Sequence, residues 1–207
     1  MRRKFRDKKL ARPESFLDAL PIIMVVCEVG TEKEYVERFA ESVKNQRVKV
    51  TSIGHVGVPR TVVQRAKELK QANDEQARRE SDDYQRFDTV WAVVDEDDHQ
   101  CLKSAIQTAK DNSIEIAVSS PNFELWLYLH FAEQPGMQHR DKLTSMLKKF
   151  DPSYDKHVKF ALYEANSDKA ILRAQRLETA ATEANEPYRN PTTGYWRLVD
   201  SVKTKQT

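Results

Sequence analysis

Four short apolar runs, separated by stretches with helical periodicity, constrain this chain more than any other feature. The runs are PIIMVVC (21–27), RVKVTSIG (47–54), DTVWAVVD (88–95) and IEIAVSS (114–120). The first and third are apolar without alternation, which marks strands covered on both faces. In the second, Val48, Val50 and Ser52 share one side. After the first run, TEKEYVERFAESVKN sets Tyr35, Val36, Phe39, Ala40 and Val43 on one stripe, with Thr31 and Glu34 spaced as a capping box. From Arg60 to about Tyr84 the pattern is a long, polar helix with a thin seam of Val62, Val63, Ala66, Leu69 and Ala77. CLKSAIQTAKDN is a shorter helix, and PNFELWLYLHF (121–131) is an apolar one opened by Pro121. Strand and helix alternating four times predict an α/β fold with a small parallel sheet and right-handed crossovers. Such sheets place their chemistry beyond the carboxyl ends of the strands.

From about residue 135 the pattern changes to helices alone: HRDKLTSMLKKF, SDKAILRAQRLETAATEAN and GYWRLVDSVK. The expected organisation is a basic tail (1–19), an α/β core (20–134) and a helical C-terminal extension (135–207) packed on the core as one unit. Its 207 residues suit a single core. With 39% hydrophobic and 32% charged residues, the composition excludes a disordered or membrane-embedded chain. No run approaches the roughly 18 apolar residues of a membrane span. Asp18 interrupts the apolar stretch after the basic start, which argues against a signal peptide. Cys27 and Cys101 have neither metal-ligand nor disulfide spacing, so a reducing cytoplasm is expected. Residues 1–12 hold seven Lys/Arg against one Asp, while the remainder holds 27 basic and 31 acidic residues. The tail is suited to phosphates or anionic surfaces, or stands as a solvated terminus.

The strand ends deliver acids to one edge. The first run ends at Glu28, with Glu32 in the first turn of the next helix. The third ends in DEDDH, where extended geometry points Asp95 and Asp97 the same way and Glu96 away. The fourth is followed by SSPNFE, which puts Glu124 at a helix start. Five carboxylates in one place repel unless cations sit among them, and hard oxygen donors suit Mg²⁺ or Mn²⁺. Two such ions about 4 Å apart support phosphodiester cleavage by a two-metal mechanism. His99 fits as a ligand, proton donor or phosphate contact, or as a surface histidine. Glu32 and Glu124 also fit as first-turn acids favoured by the helix dipole. Lys156, in SYDKH, is a candidate for neutralising the scissile phosphate, and Asn122 for orienting Glu124 or simply capping its helix. Trp91, Trp126 and Trp196 lie in apolar runs and read as core. GHVGVPR lacks the Gly-Lys-Ser/Thr of a P-loop and is not read as nucleotide-binding.

The blocks VVCEVGTEKEYVERF, VWAVVDEDDH, IAVSSPNFELWLYLHF, PSYDK and NPTTGYWRLVD resemble, in order and rough spacing, those of the RloB-like proteins of bacterial restriction and abortive phage-resistance loci. That family is similar to the Toprim-like group, which includes nucleases of the overcoming-lysogenization-defect type, primases and topoisomerases. The resemblance implies a Toprim-like sheet between helices, with metal-binding roles for Glu28, Asp95 and Asp97. By position, Glu32 and Glu124 would complete a second ion's site. The chain departs from the family pattern at Val29, where a Gly is usual, and at Ser120, where Asn is common; neither change removes a carboxylate.

The expectation is therefore a Mg²⁺- or Mn²⁺-dependent nuclease of an anti-phage, abortive-infection system. Its catalytic residues are Glu28, Asp95, Asp97, Glu124 and Lys156, and its metal ligands Glu28, Glu32, Asp95, Asp97 and Glu124, with His99 and Asn122 as auxiliaries. Expected partners are nucleic acid, whether DNA, tRNA or another RNA, and an ATPase encoded nearby; a homo-oligomer is left open, and no membrane is expected. The alternative is a non-catalytic subunit that senses nucleic acid or phage and signals to the ATPase. A nucleotidyl-transferase or primase-like role ranks third, because no separate nucleotide-binding feature is present.

Overall fold

The computed structural model describes residues 21–54, 58–96, 101–134 and 136–203. The basic tail, with the patterns assigned to it, lies outside the described residues. The four apolar runs become β1 (Ile23–Cys27), β2 (Val48–Ser52), β3 (Thr89–Asp95) and β4 (Glu115–Ser120). They pair in parallel in the order β2-β1-β3-β4, as the alternation of elements requires.

The expectation of helices alone beyond residue 135 is corrected by a fifth strand. β5 (Thr192–Thr193) pairs antiparallel with the end of β4. Two residues are too few to show a period, so nothing in the pattern announces it. The contact is tight: Gly194 N–H donates to Val118 O at 2.8 Å, and a Cβ on Gly194 would stand 3.4 Å from Val118 N. Around the sheet stand, among the described residues, α1 (Gly30–Ser42), α2 (Pro59–Glu80), α3 (Leu102–Asp111), α4 (Glu124–Leu129), α5 (Arg140–Leu147), α6 (Ser167–Glu183) and α7 (Tyr195–Val202).

Three local expectations shift. α2 stops at Glu80 because Ser81 takes a left-handed φ of 53°, and Asp82 then caps a 3-10 turn through Tyr84 N–H at 3.0 Å. α4 begins at Glu124, so Pro121 precedes the helix and does not open it. The cap of α1 is Val29, whose N–H is satisfied by the Glu32 carboxylate at 2.9 Å. Thr31 and Glu34, the pair spaced as a capping box, bond instead to partners described below.

Side-chain alternation along the strands feeds two cores. Met24, Val26, Ala92, Val94 and Val118 pack under α2 and α3. Ile23, Val25, Cys27, Trp91, Val93 and Ala117 pack under the larger layer of α1, α4, α6 and α7. Trp91 and Trp126 are buried as expected, whereas Trp196 is half-buried and donates its indole N–H to Glu178 at 2.7 Å.

The centre of the larger layer is aromatic. Tyr35 of α1 lies within 6.3 Å, centroid to centroid, of Phe39, Phe123, Trp126, His130, Phe160 and Tyr195. His130 is 1% exposed; its Nδ1 lies 2.9 Å from the Trp126 carbonyl and its Nε2 2.9 Å from the Tyr35 hydroxyl. A carbonyl only accepts, so Nδ1 carries the proton and Nε2 accepts from Tyr35 O–H. Burial lowers the His130 pKa to about 4. The unfolded chain, with a pKa of about 6.5, binds the proton first as pH falls. Stability is thus full above about pH 6.5 and is lost toward pH 4, by about 3 kcal/mol in all. Urea denaturation between pH 4 and 7.5 is expected to show this slope, and His130→Gln to flatten it; an equal slope in the variant would place its source elsewhere.

Candidate metal and phosphate site

The strand order fixes where a site can form. α1, the crossover from β1 to β2, covers one face of the sheet, and α3, the crossover from β3 to β4 in the opposite direction, covers the other. The chain therefore diverges at the carboxyl ends of β1 and β3 and leaves a crevice there. A cleft of about 850 Å³ opens at that place, and Glu28, Glu32, Asp95, Glu124 and Lys156 all line it.

Each acid is accommodated differently. Glu28, the first residue past β1, accepts the Asp95 N–H at 3.4 Å, so the ends of the two central strands are joined through a carboxylate. Glu32 is 1% exposed. Burial pushes its pKa up to about 8, against the bond from Val29 N–H, and the Glu28 and Glu124 carboxylates add to the rise. It is consequently held largely neutral at pH 7. Glu124, also buried, accepts the Tyr154 hydroxyl at 3.0 Å and is ion-paired with the Lys156 ammonium. Tyr154 is raised well above the usual phenol range, by burial first and then by Glu124, and so remains a donor.

Lys156 comes from the C-terminal part of the chain and is positioned by α1. Its backbone has a left-handed φ of 76°, costing a non-glycine residue about 1 kcal/mol. Two bonds hold the loop: Thr31 O–H donates to Lys156 O at 2.7 Å, and Val158 N–H donates to Glu34 at 2.9 Å. The residues spaced as a capping box are thus the clamps of the Lys156 loop.

Asn122 is buried in the turn before α4; its carboxamide oxygen has no partner among the described residues and it is not part of the cleft wall. Asp97 and His99 lie outside the described residues. Glu96 faces a different depression, as the alternation predicts. Arg140, His157 and Asp155 also line the cleft and were not singled out by sequence. Arg140 opens α5, whose only readable signal is the buried pair Leu143 and Leu147. Tyr154 lies in the same block as Lys156, but its bond to Glu124 spans 30 residues and leaves no local trace.

Among the described residues no group of three or more His, Cys, Asp or Glu is arranged to hold a metal ion. The donor chemistry nevertheless fits Mg²⁺ or Mn²⁺: the acids are all hard oxygen donors, and such ions commonly take one or two carboxylates with water and phosphate completing the shell. Glu28 and Asp95, joined across the strand ends, are the pair that meets this description. Glu32→Gln is expected to retain the Val29 bond and leave the melting temperature in EDTA equal or higher, whereas Glu32→Leu loses about 1 kcal/mol. If thermal denaturation finds the two variants equally damaged, the carboxyl group itself is required by the fold.

No helix among the described residues is long and apolar enough to cross a membrane. No curated protein and no solved structure matches the chain. The family model for RloB-like protein matches residues 23–202, and the chain belongs to that family.

Proposed function

We propose that the chain is a divalent-metal-dependent nuclease of Toprim type, acting in the bacterial cytoplasm in defence against phage by hydrolysing phosphodiester bonds. The observation that carries this reading is the meeting of Glu28 and Asp95 at the switch point of the sheet, in a cleft that also contains a clamped lysine. Glu28 and Asp95, with Asp97 by sequence position, would hold Mg²⁺ or Mn²⁺, and Glu32 and Glu124 would serve a second ion. Bound there, the metal supplies charge to activate water and to stabilise the leaving oxygen. Lys156 brings a fixed positive charge to the phosphate, and Glu124 with Tyr154 keeps its ammonium in place. Glu32 keeps its proton until a cation arrives beside it, so its charge appears only where an ion compensates it. The substrate is nucleic acid, and an ATPase encoded nearby is the proposed partner.

One observation favours the second reading, a sensing subunit that binds nucleic acid without cutting it. Glu124 already spends its carboxylate on Tyr154 and Lys156, and a single-ion site is adequate for binding.

A cleavage assay on single- and double-stranded DNA and total tRNA, with Mg²⁺, Mn²⁺ or EDTA, separates them. Metal-dependent cutting is expected, and Asp95→Asn should abolish it with an equal or higher melting temperature, because one like charge is removed. Lys156→Ala should lower the rate by about 100-fold. Binding without cutting, with and without the ATPase, would support the sensor, and an Asp95→Asn protein that unfolds would make Asp95 structural.

A further inference from the structure

The carboxyl edge of the sheet carries a second cleft, made by the same alternation that placed Asp95. Glu96, the next residue, faces a depression of about 640 Å³ floored by Ser120 and Pro121 at the end of β4. This is ample for one nucleobase. Its far wall is the segment from Met137 to Arg140, and that wall is fixed. The Asn190 side chain donates to Gln138 O at 2.8 Å and accepts from Gln138 N–H at 3.3 Å.

Three features point to a ligand. Ser120 is 1% exposed, yet among the described residues its hydroxyl meets no hydrogen-bond partner. A buried polar group in that condition is costly and calls for a partner from outside. Met137 is 79% exposed and His139 has 74% of its side chain exposed, giving a thioether and an imidazole at the rim where a flat ring can lie. Arg140 lines both clefts, so a phosphate beside its guanidinium has the first cleft on one side and this depression on the other.

We propose that this second cleft receives the base next to the phosphate held in the first, from a single strand, and that Glu96 with Ser120 selects cytosine and adenine over uracil and thymine. The proposal rests on the nuclease or sensor reading only in placing a phosphate in the first cleft. Carboxylate and hydroxyl oxygens accept from the N4 amine of cytosine or the N6 amine of adenine. Uracil and thymine present carbonyls at those positions. A base inside a duplex is stacked and paired and does not reach the cleft.

The test is equilibrium binding of labelled homopolymers of C, A, U and T by the full chain in EDTA, where metal-dependent cleavage does not occur. C and A strands are expected to bind about five-fold tighter than U and T strands. Glu96→Ala and Ser120→Ala should each erase that preference while leaving affinity for duplex unchanged. Ser120→Ala should melt no lower than the parent, since it removes an unpaired hydroxyl; should it fail to fold, Glu96→Ala still decides. No base preference in the parent, or a preference that survives Glu96→Ala, overturns the proposal. Free cytidine monophosphate binding as tightly as the C strand also overturns it, in favour of a free-nucleotide site. A protein with the base preference that never cuts keeps this cleft and loses the nuclease; one that cuts without preference does the reverse.

Discussion

The hydroxyl of Tyr35, bonded to His130, is the contact on which the larger half of the molecule depends. α1 alone could slide or rotate over the sheet, because Val36, Phe39 and Ala40 offer it only a non-directional apolar stripe. The Tyr35 ring meets residues from α4, α7 and the turn at Phe160, and the bond to His130 fixes its angle among them. Tyr195 repeats the arrangement one layer out, donating its hydroxyl to the Glu32 carbonyl at 2.9 Å. Buried polar bonds of this kind add less to net stability than to uniqueness, since a shifted helix would leave hydroxyl and imidazole unpaired. The N-terminus of α1, with Glu32, Thr31 and Glu34, is thereby held where the cleft needs it.

The cleft is a study in how a fold tolerates converging acids. Glu28 is relieved by a backbone N–H, Glu32 by keeping its proton, and Glu124 by a tyrosine and a lysine. These remedies are of different strength. A backbone bond leaves a carboxylate charged and available, proton retention is reversed by any nearby cation, and an ion pair must be broken before the group does anything else. On this ground Glu124, whose carboxylate is engaged twice, is the acid least ready for another role.

The parallel sheet was legible because buried strands need apolar runs, unbroken in β1 and β3 and one-sided in β2, and the four runs predict strands within two residues of those observed. The convergence of Glu28, Asp95 and Glu124 followed from topology alone. What the sequence hid was decided by backbone direction and by distant contacts. On paper Thr31 with Glu34 is the cap; the extended φ of −125° at Val29 starts the helix two residues earlier, gives the capping bond to Glu32 and frees the other two to clamp the Lys156 loop. The pairing of Lys156 with Glu124 joins segments 32 residues apart, and the role of Arg140 depends on where α5 begins in space. No periodicity encodes either.

β5 contributes only two residues, but it closes β4 on its outer side with antiparallel bonds. At the opposite margin β2 pairs, among the described residues, only with β1, and its exposed face carries Lys49, whose ammonium rests 5.3 Å from the Phe87 ring centre. Against extension by a further strand the sheet therefore has one shielded corner, at Ser119 and Ser120, and one charged strand at its far margin, β2.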